Sequence, residues 1–152
     1  MTKIKNWIVL IVVFVLSFTA AYSLVTSSLF DLSKVKELGT DLQYNLISIS
    51  AIIGGFLFTG VSILISALEN GRVKRMWNYD YLDNIYHAAF IGIGANIITI
   101  VSALAMLFLV LEEKIQETIM KIEIISVLVG LIFFAWCVLD LVFIVSTMKT
   151  DS

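Results

Sequence analysis

Four long runs of apolar residues constrain this chain more than any other feature of its sequence. They extend from about Trp7 to Phe30, Tyr44 to Leu68, Ile85 to Leu111 and Ile122 to Met148. A helix needs roughly 20 mostly apolar residues to cross a bilayer, and every run reaches that length. None of the runs alternates apolar and polar residues, as the strands of a membrane β-barrel do. The pattern predicts an all-α membrane protein, with one domain over residues 1–152 and four transmembrane helices in an antiparallel bundle.

The composition agrees with lipid as the main solvent of the chain. Hydrophobic residues make up 60% of the sequence and charged residues 14%, whereas soluble domains carry about 25% charged residues. The net charge of −2 gives no basic patch for nucleic acid. The single cysteine, Cys137, cannot form an intramolecular disulfide, and no His/Cys cluster has the spacing of a metal site. Without a hydrolase, protease or nucleotide-binding motif either, we expect no enzymatic activity, no cofactor and no metal.

The positions of the basic residues indicate an orientation. Lys and Arg collect in the short cytoplasmic loops of membrane proteins. The termini and the second loop carry most of them (Lys3, Lys5, Arg72, Lys74, Arg75 and Lys149, against Lys34, Lys36, Lys114 and Lys121 in the other two loops). We therefore expect a multi-pass protein of the cell membrane with both termini in the cytoplasm. The N-terminal segment also has features of a secretory signal, but its apolar character continues through Leu24, Val25 and Leu29, which favours an uncleaved anchor.

Small residues recur at spacings of three and four along the second and third predicted helices, so each set lies on one face. The second helix carries Ser48, Ala51, Gly55, Thr59, Ser62 and Ser66, and the third carries Ala88, Gly92, Ala95, Thr99 and Ser102. Small residues allow helix backbones to approach closely in lipid. We expect the two stripes to close a tight antiparallel hairpin. The alternatives are a contact between copies in a homo-oligomer and the lining of a narrow pore.

Three polar residues inside the apolar runs are candidates for a functional site. Asp140 lies about two turns from the end of the fourth helix, where a carboxylate costs about 2.5–3.5 kcal/mol. It must face other helices, face a wet cavity or be protonated. His87 lies at a similar depth in the third helix, so a pair with Asp140 is possible as a proton- or cation-sensitive gate, unless both residues only fix the packing. Asn96, near the middle of the third helix, is expected to bond to the second helix or to a second copy.

The second loop, residues 69–83, is the sizeable cytoplasmic feature of the chain. Its basic residues and one tryptophan are suited to anionic lipid headgroups or to a cytoplasmic partner protein: Arg72, Lys74, Arg75 and Trp77. The third loop is acidic, and we assign four glutamates to it: Glu112, Glu113, Glu117 and Glu123. Such a run is ordinarily a solvated face, and it can also attract cations to the mouth of a pore.

The segment from Ser48 to Asp83 supports a family resemblance. A second helix rich in Gly, Ser and Thr is followed by a short basic turn, residues 71–75, and then by a third helix. This order resembles small four-helix bacterial and phage membrane proteins of the RexB phage-exclusion type, and loosely the membrane subunit of the Kiwa anti-phage system. The resemblance implies a membrane effector that perturbs ion gradients during phage infection, or an anchor for a cytoplasmic sensor.

Three functional hypotheses follow from the sequence. The first is an oligomeric effector of anti-phage defence that acts as a gated ion leak, with Asp140, His87 and the two stripes as its working parts. The second is a non-conducting membrane anchor or immunity subunit that recruits a cytoplasmic partner through the loop at 69–83. The third is a small proton-coupled transporter that uses Asp140.

Overall fold

Helix is the secondary structure of every described element of the chain. The structure, a computed structural model, describes residues 2–27, 32–67 and 81–150, with side chains at residues 8–27, 34–66 and 84–142. The helices are α1 (Thr2–Thr26), α2 (Leu32–Glu37), α3 (Gly39–Ala67), α4 (Tyr81–Phe108) and α5 (Glu113–Thr150). Four of them, all but α2, are long and apolar enough to cross a membrane. The prediction of an all-helical membrane protein with four spans is confirmed at that level.

The helices begin and end at different residues from the apolar runs that predicted them. The fourth run was predicted to begin at Ile122, but α5 begins at Glu113, where the backbone N–H groups of Ile115 and Gln116 both donate to the Glu112 carbonyl. A short α2 precedes α3, and the first residue of α3, Gly39, is left-handed with φ 53°. Apolarity marks the part of a helix that faces hydrocarbon, whereas backbone hydrogen bonds decide where the helix begins. At 38 residues, α5 is about 57 Å long, so it exceeds a hydrocarbon core of roughly 30 Å.

Helix α4 lies between α3 and α5, and α1 packs on α5 and α4. Gly92 of α4 lies against Leu57 of α3 and Phe133 of α5. One turn further along α4, Asn96 lies between Gly54 of α3 and Gly130 of α5. From the first contact to the second, residue numbers rise in α4 and fall in the other two helices. The fully buried ring of Phe133 also lies 6.4 Å, centroid to centroid, from Phe14 of α1.

The two small-residue stripes have different environments. The stripe on α4 lies in the core, with Ala88, Gly92, Ala95 and Thr99 buried and Ser102 half-buried. The stripe on α3 is exposed at all six positions: Ser48, Ala51, Gly55, Thr59, Ser62 and Ser66. The prediction that both stripes meet in a hairpin is therefore wrong for α3.

Volume complementarity explains which face of α3 turns inward. The buried face of α3 carries mostly larger side chains, namely Gln43, Leu46, Ser50, Ile53, Leu57 and Val61. The end of the Leu57 side chain lies only 2.7 Å from the point where a Cβ on Gly92 would stand. Large side chains of α3 thus fill the space above the small residues of α4, whereas two small faces would leave a gap that close packing does not tolerate.

Candidate functional site

A glutamate is buried inside the bundle. Glu123 is 0% exposed, and neither carboxyl oxygen has a hydrogen-bond partner among the described protein groups. It occupies the inward face of α5, whose buried residues follow one another at helical spacings: Met120, Glu123, Val127, Gly130, Phe133 and Cys137. A carboxyl without a partner in such a place is costly in either a protein core or lipid.

Gln43 of α3 is the polar side chain that faces the Glu123 carboxyl. It is 4% exposed, and its Oε1 atom also lacks a hydrogen-bond partner. A glutamine amide offers an acceptor on one side and a donor on the other. By turning over, the Gln43 amide can therefore accept from a protonated carboxyl or donate to an ionised one.

A cavity of about 390 Å³ at one end of the bundle borders the pair on its Gln43 side, and Glu123 is not part of its wall. Its wall includes Gln43 itself and Met120, which lies one turn before Glu123. The remaining lining residues come from the start of α5, the end of α4 and the region around Gly39: Val35, Lys36, Gly39, Thr40, Leu42, Met106, Leu107, Glu113 and Gln116. Lys36 and Glu113 form an ion pair across this lining, with Nζ and Oε1 3.2 Å apart.

Further polar groups continue from the Glu123–Gln43 pair toward the middle of the bundle. Ser50 lies about two turns beyond Gln43 on α3, and its hydroxyl is buried without a partner. Asn96 donates from Nδ2 to the Gly92 carbonyl at 2.7 Å, while its Oδ1 has no partner. The Thr99 hydroxyl donates to the Ala95 carbonyl at 3.2 Å. Three helices thus supply a set of buried polar groups on the cavity side of Asn96.

Beyond Asn96 the described interior becomes apolar. Leu57, Val61, Ile85, Phe133 and Cys137 are all buried there and belong to one hydrophobic cluster. The Cys137 thiol lies 3.8 Å from the Ile85 carbonyl oxygen, as a weak donor. The polar groups therefore end about halfway through the bundle, and apolar side chains close the other half.

The structure gives Asp140 and His87 different neighbours. The indole Nε1 of Trp136 donates to Asp140 Oδ2 at 2.6 Å, within the same helix. Asp140 is half-buried and borders a shallow groove lined by α5 residues alone. The ring of His87 lies edge-on to Tyr86, with centroids 5.7 Å apart. The contact between Asp140 and His87 stays a prediction.

Of the remaining sites that the sequence predicts, the structure describes Asn96 and the α3 stripe but not the basic loop. Asn96 was expected to bond to another helix or another copy, but its amide bonds within α4 while its side chain packs between Gly54 and Gly130. Two hydroxyls of the exposed α3 stripe bond to carbonyls of their own helix, from Ser48 to Tyr44 and from Ser62 to Phe58. The basic loop with Arg72, Lys74, Arg75 and Trp77 lies outside the described residues.

Glu123 is the functional candidate that the sequence reasoning assigned wrongly, because it was counted among the acids of the third loop. It lies ten residues inside α5, on the helix face that packs against α4 and α3. The signal was present in the spacing, since Met120, Glu123, Val127 and Gly130 follow the three-four pattern of a single helix face. Because Glu123 is charged and follows an acidic segment, its charge favoured the loop although its spacing favoured the helix.

No protein-family model matches the chain, and neither a curated protein nor a solved structure matches it significantly. Among the described residues, no group of three or more His, Cys, Asp or Glu side chains can hold a metal ion. Fold and site together define a multi-pass helical membrane protein. Its distinguishing feature is the buried Glu123 carboxyl.

Proposed function

We propose that the protein is a membrane effector that allows ions to leak across the bilayer through its helical bundle. The observation that carries the proposal is the Glu123 carboxyl, which is fully buried and has the neutral Gln43 amide as its described polar neighbour. Ionisable groups inside membrane proteins are costly and commonly mark ion or proton pathways. An ion held at Glu123 offsets the cost of burying it.

The order of the polar groups favours a gated leak. In this proposal ions enter the 390 Å³ cavity, whose wall includes Gln43, pass from there to Glu123, and meet the buried polar groups of Ser50 and Asn96 next. The apolar cluster around Phe133 then stops them. Apolar constrictions gate channels by excluding water. We therefore assign the apolar half to a closed gate, which opens only when α3, α4 and α5 move apart there.

We further infer that the four spans of one chain form an antiparallel bundle with both termini in the cytoplasm. We also infer that several copies of the chain associate as a homo-oligomer. The exposed α3 stripe supports self-association, because small residues on a lipid-facing surface allow two helices to approach closely. In that arrangement the loop at residues 69–83 lies on the cytoplasmic side, where lipid headgroups or a partner protein act as the trigger.

The test is the membrane potential of single bacterial cells after induction, followed with a voltage-sensitive dye. Wild type is expected to depolarise the cells, and Glu123→Gln is expected to abolish the effect while keeping the side-chain volume. Glu117→Gln is the matched control, because Glu117 is a half-exposed residue on the same helix whose carboxylate pairs with Lys121 at 3.1 Å. Equal depolarisation by all three proteins removes Glu123 from the pathway.

The closed apolar half favours a second candidate, a non-conducting anchor or immunity subunit. In that case wild type leaves the membrane potential unchanged under every trigger, and pull-downs with the full chain recover a cytoplasmic protein that depends on residues 69–83. A small transporter is the third candidate. In alternating access a binding site opens to one side of the membrane at a time, and a cavity at one end of the bundle corresponds to one of the two states. This candidate predicts flux that saturates with substrate and is far slower than a leak.

A role in anti-phage defence stays a prediction from the resemblance to phage-exclusion proteins. It is tested by plaque counts on cells that carry the wild-type chain, Glu123→Gln or Glu117→Gln. If an ion leak is the means of defence, protection follows the depolarisation phenotype of each variant. Protection that is equal in wild type and Glu123→Gln separates defence from ion leakage.

A further inference from the structure

The chemistry of the Glu123–Gln43 pair indicates which ion the site binds. We propose that Glu123 and Gln43 form a proton-binding site, so that the ion handled by the bundle is the proton rather than an alkali or divalent metal cation. This inference rests on the proposed function and deepens it, because it concerns the same buried carboxyl. It is argued from the ligands at the site, from the charges around it and from the behaviour of the Gln43 amide.

The described side chains supply few oxygen atoms for a metal cation at the site. The two Glu123 oxygens and Gln43 Oε1 are buried together without hydrogen-bond partners. The next such atom, Ser50 Oγ, is seven residues further along α3, which is about 10 Å at the rise of an α-helix. Hard metal cations take about six to eight oxygen ligands within a few ångströms. A proton needs only one lone pair, and Glu123 supplies it.

No fixed cation faces the carboxyl from any described helix that packs around it. The described side chains of α1 from 8 to 26 include no Asp, Glu, Lys, Arg or His. Those of α3 from 39 to 66 include one such residue, Asp41, which is exposed. Those of α4 from 84 to 108 include one, His87, at the end of the helix opposite the cavity. Of the tyrosines in those segments, Tyr22 and Tyr44 are exposed, and Tyr86 lies next to His87. Around the cavity and on α5, Lys36 pairs with Glu113 and Lys121 pairs with Glu117, while Lys114 and Glu112 are exposed.

An ionised carboxylate in this setting keeps its full desolvation cost, whereas a protonated carboxyl is neutral and can donate. The donor O–H of protonated Glu123 finds a ready acceptor in Gln43 Oε1. When the proton leaves, the Gln43 amide turns over and presents its N–H₂ group to the carboxylate. One glutamine therefore serves both states of the site, and the proton that leaves Glu123 passes to water in the cavity or inward toward Ser50.

Flux through purified protein in vesicles tests the inference. Phosphatidylethanolamine–phosphatidylglycerol vesicles with a pH-sensitive dye inside report protons, and separate vesicles with K⁺- or Na⁺-sensitive dyes report metal cations. We expect proton flux without K⁺ or Na⁺ flux, loss of the proton flux in Glu123→Gln because the ionisable group on the pathway is gone, and unchanged flux in Glu117→Gln. K⁺ or Na⁺ flux at rates equal to or above the proton rate overturns the proton site while leaving the proposed leak in place.

A chemical probe tests the site even when no flux occurs. Dicyclohexylcarbodiimide modifies protonated carboxyls in apolar surroundings, and mass spectrometry locates the modified residue in the full-length protein. We expect modification at Glu123 that fades as the pH rises, and none at Glu117. Modification at Glu123 in a protein that passes no ion supports the proton site and removes the leak. Absence of modification at Glu123 across the pH range, in protein that elutes as a single species, overturns the proton site.

Discussion

Substitution of Gly130 by alanine tests the packing of the polar core. A Cβ at position 130 would stand 2.6 Å from Asn96 Nδ2 and 3.1 Å from its Cγ. Real Cβ atoms do not approach heavy atoms so closely, and the Asn96 amide must therefore move away. That movement breaks the 2.7 Å hydrogen bond to the Gly92 carbonyl and leaves both ends of a buried amide without partners, since Oδ1 has none already.

The expected loss of stability follows from these contacts. Overpacking costs about 1–3 kcal/mol, and an unsatisfied buried amide costs about 1–3 kcal/mol more. Replacing a helical glycine by alanine returns up to about 1 kcal/mol. The net destabilisation of Gly130→Ala is therefore about 1–6 kcal/mol, which is visible as earlier unfolding when SDS is titrated into mixed micelles and helicity is followed by circular dichroism.

A matched control separates packing from helix propensity. Gly94 lies in α4, two residues before Asn96, and a Cβ there meets nothing within 4 Å. Gly94→Ala is expected to be neutral or stabilising by up to about 1 kcal/mol, so the same chemical change gives opposite signs at the two positions. The double variant Gly130→Ala/Asn96→Ala removes the clash and should recover at least about 1 kcal/mol relative to additivity. Equal effects of Gly130→Ala and Gly94→Ala would refute the contact between Gly130 and Asn96.

Other perturbations probe other parts of the bundle. Gly55→Leu is expected to leave the monomer stable, because nothing lies within 4 Å of a Cβ at Gly55, and to lower crosslinking between copies; undiminished crosslinking removes the α3 stripe from the oligomer contact. Asp140→Asn should preserve folding, since its amide oxygen still accepts from the indole of Trp136, whereas Asp140→Leu should cost about 1 kcal/mol in SDS titrations. Cys137 is buried, so maleimide labelling in mild detergent should be slow until SDS unfolds the bundle, and rapid labelling of the folded protein contradicts that burial. Lys36→Gln should change stability by less than about 1 kcal/mol, because its ion pair is solvent-exposed, and a larger loss in the same titration would show that the pair holds α2 to α5.

The sequence by itself predicted the lipid environment and the helical spans. Both depend on local properties: a run of about 20 apolar residues must satisfy its own backbone hydrogen bonds in hydrocarbon, and a helix does so. The ends of the long helices were predicted less well, because a helix continues past the apolar run wherever its backbone remains bonded.

The tertiary structure decided which face of each helix turned inward. On α3, one face carries small residues and another carries Gln43, Leu46, Ser50, Ile53, Leu57 and Val61, and both follow helical spacing. Local sequence does not choose between them, because the choice depends on what the neighbouring helix presents. The small face of α4 accepts the large face of α3, and the small face of α3 therefore stays outside.

The buried glutamate shows the same division between local and tertiary information. From the sequence, charge assigned Glu123 to the acidic loop, and helical spacing aligned it with Val127 and Gly130. Packing of α5 against the other helices settled the conflict, because the face of α5 that carries Glu123, Val127 and Gly130 is buried in the bundle. Sequence determined that this chain lives in lipid as helices, and packing between the helices determined that its one fully buried carboxyl among the described residues faces Gln43 in the interior.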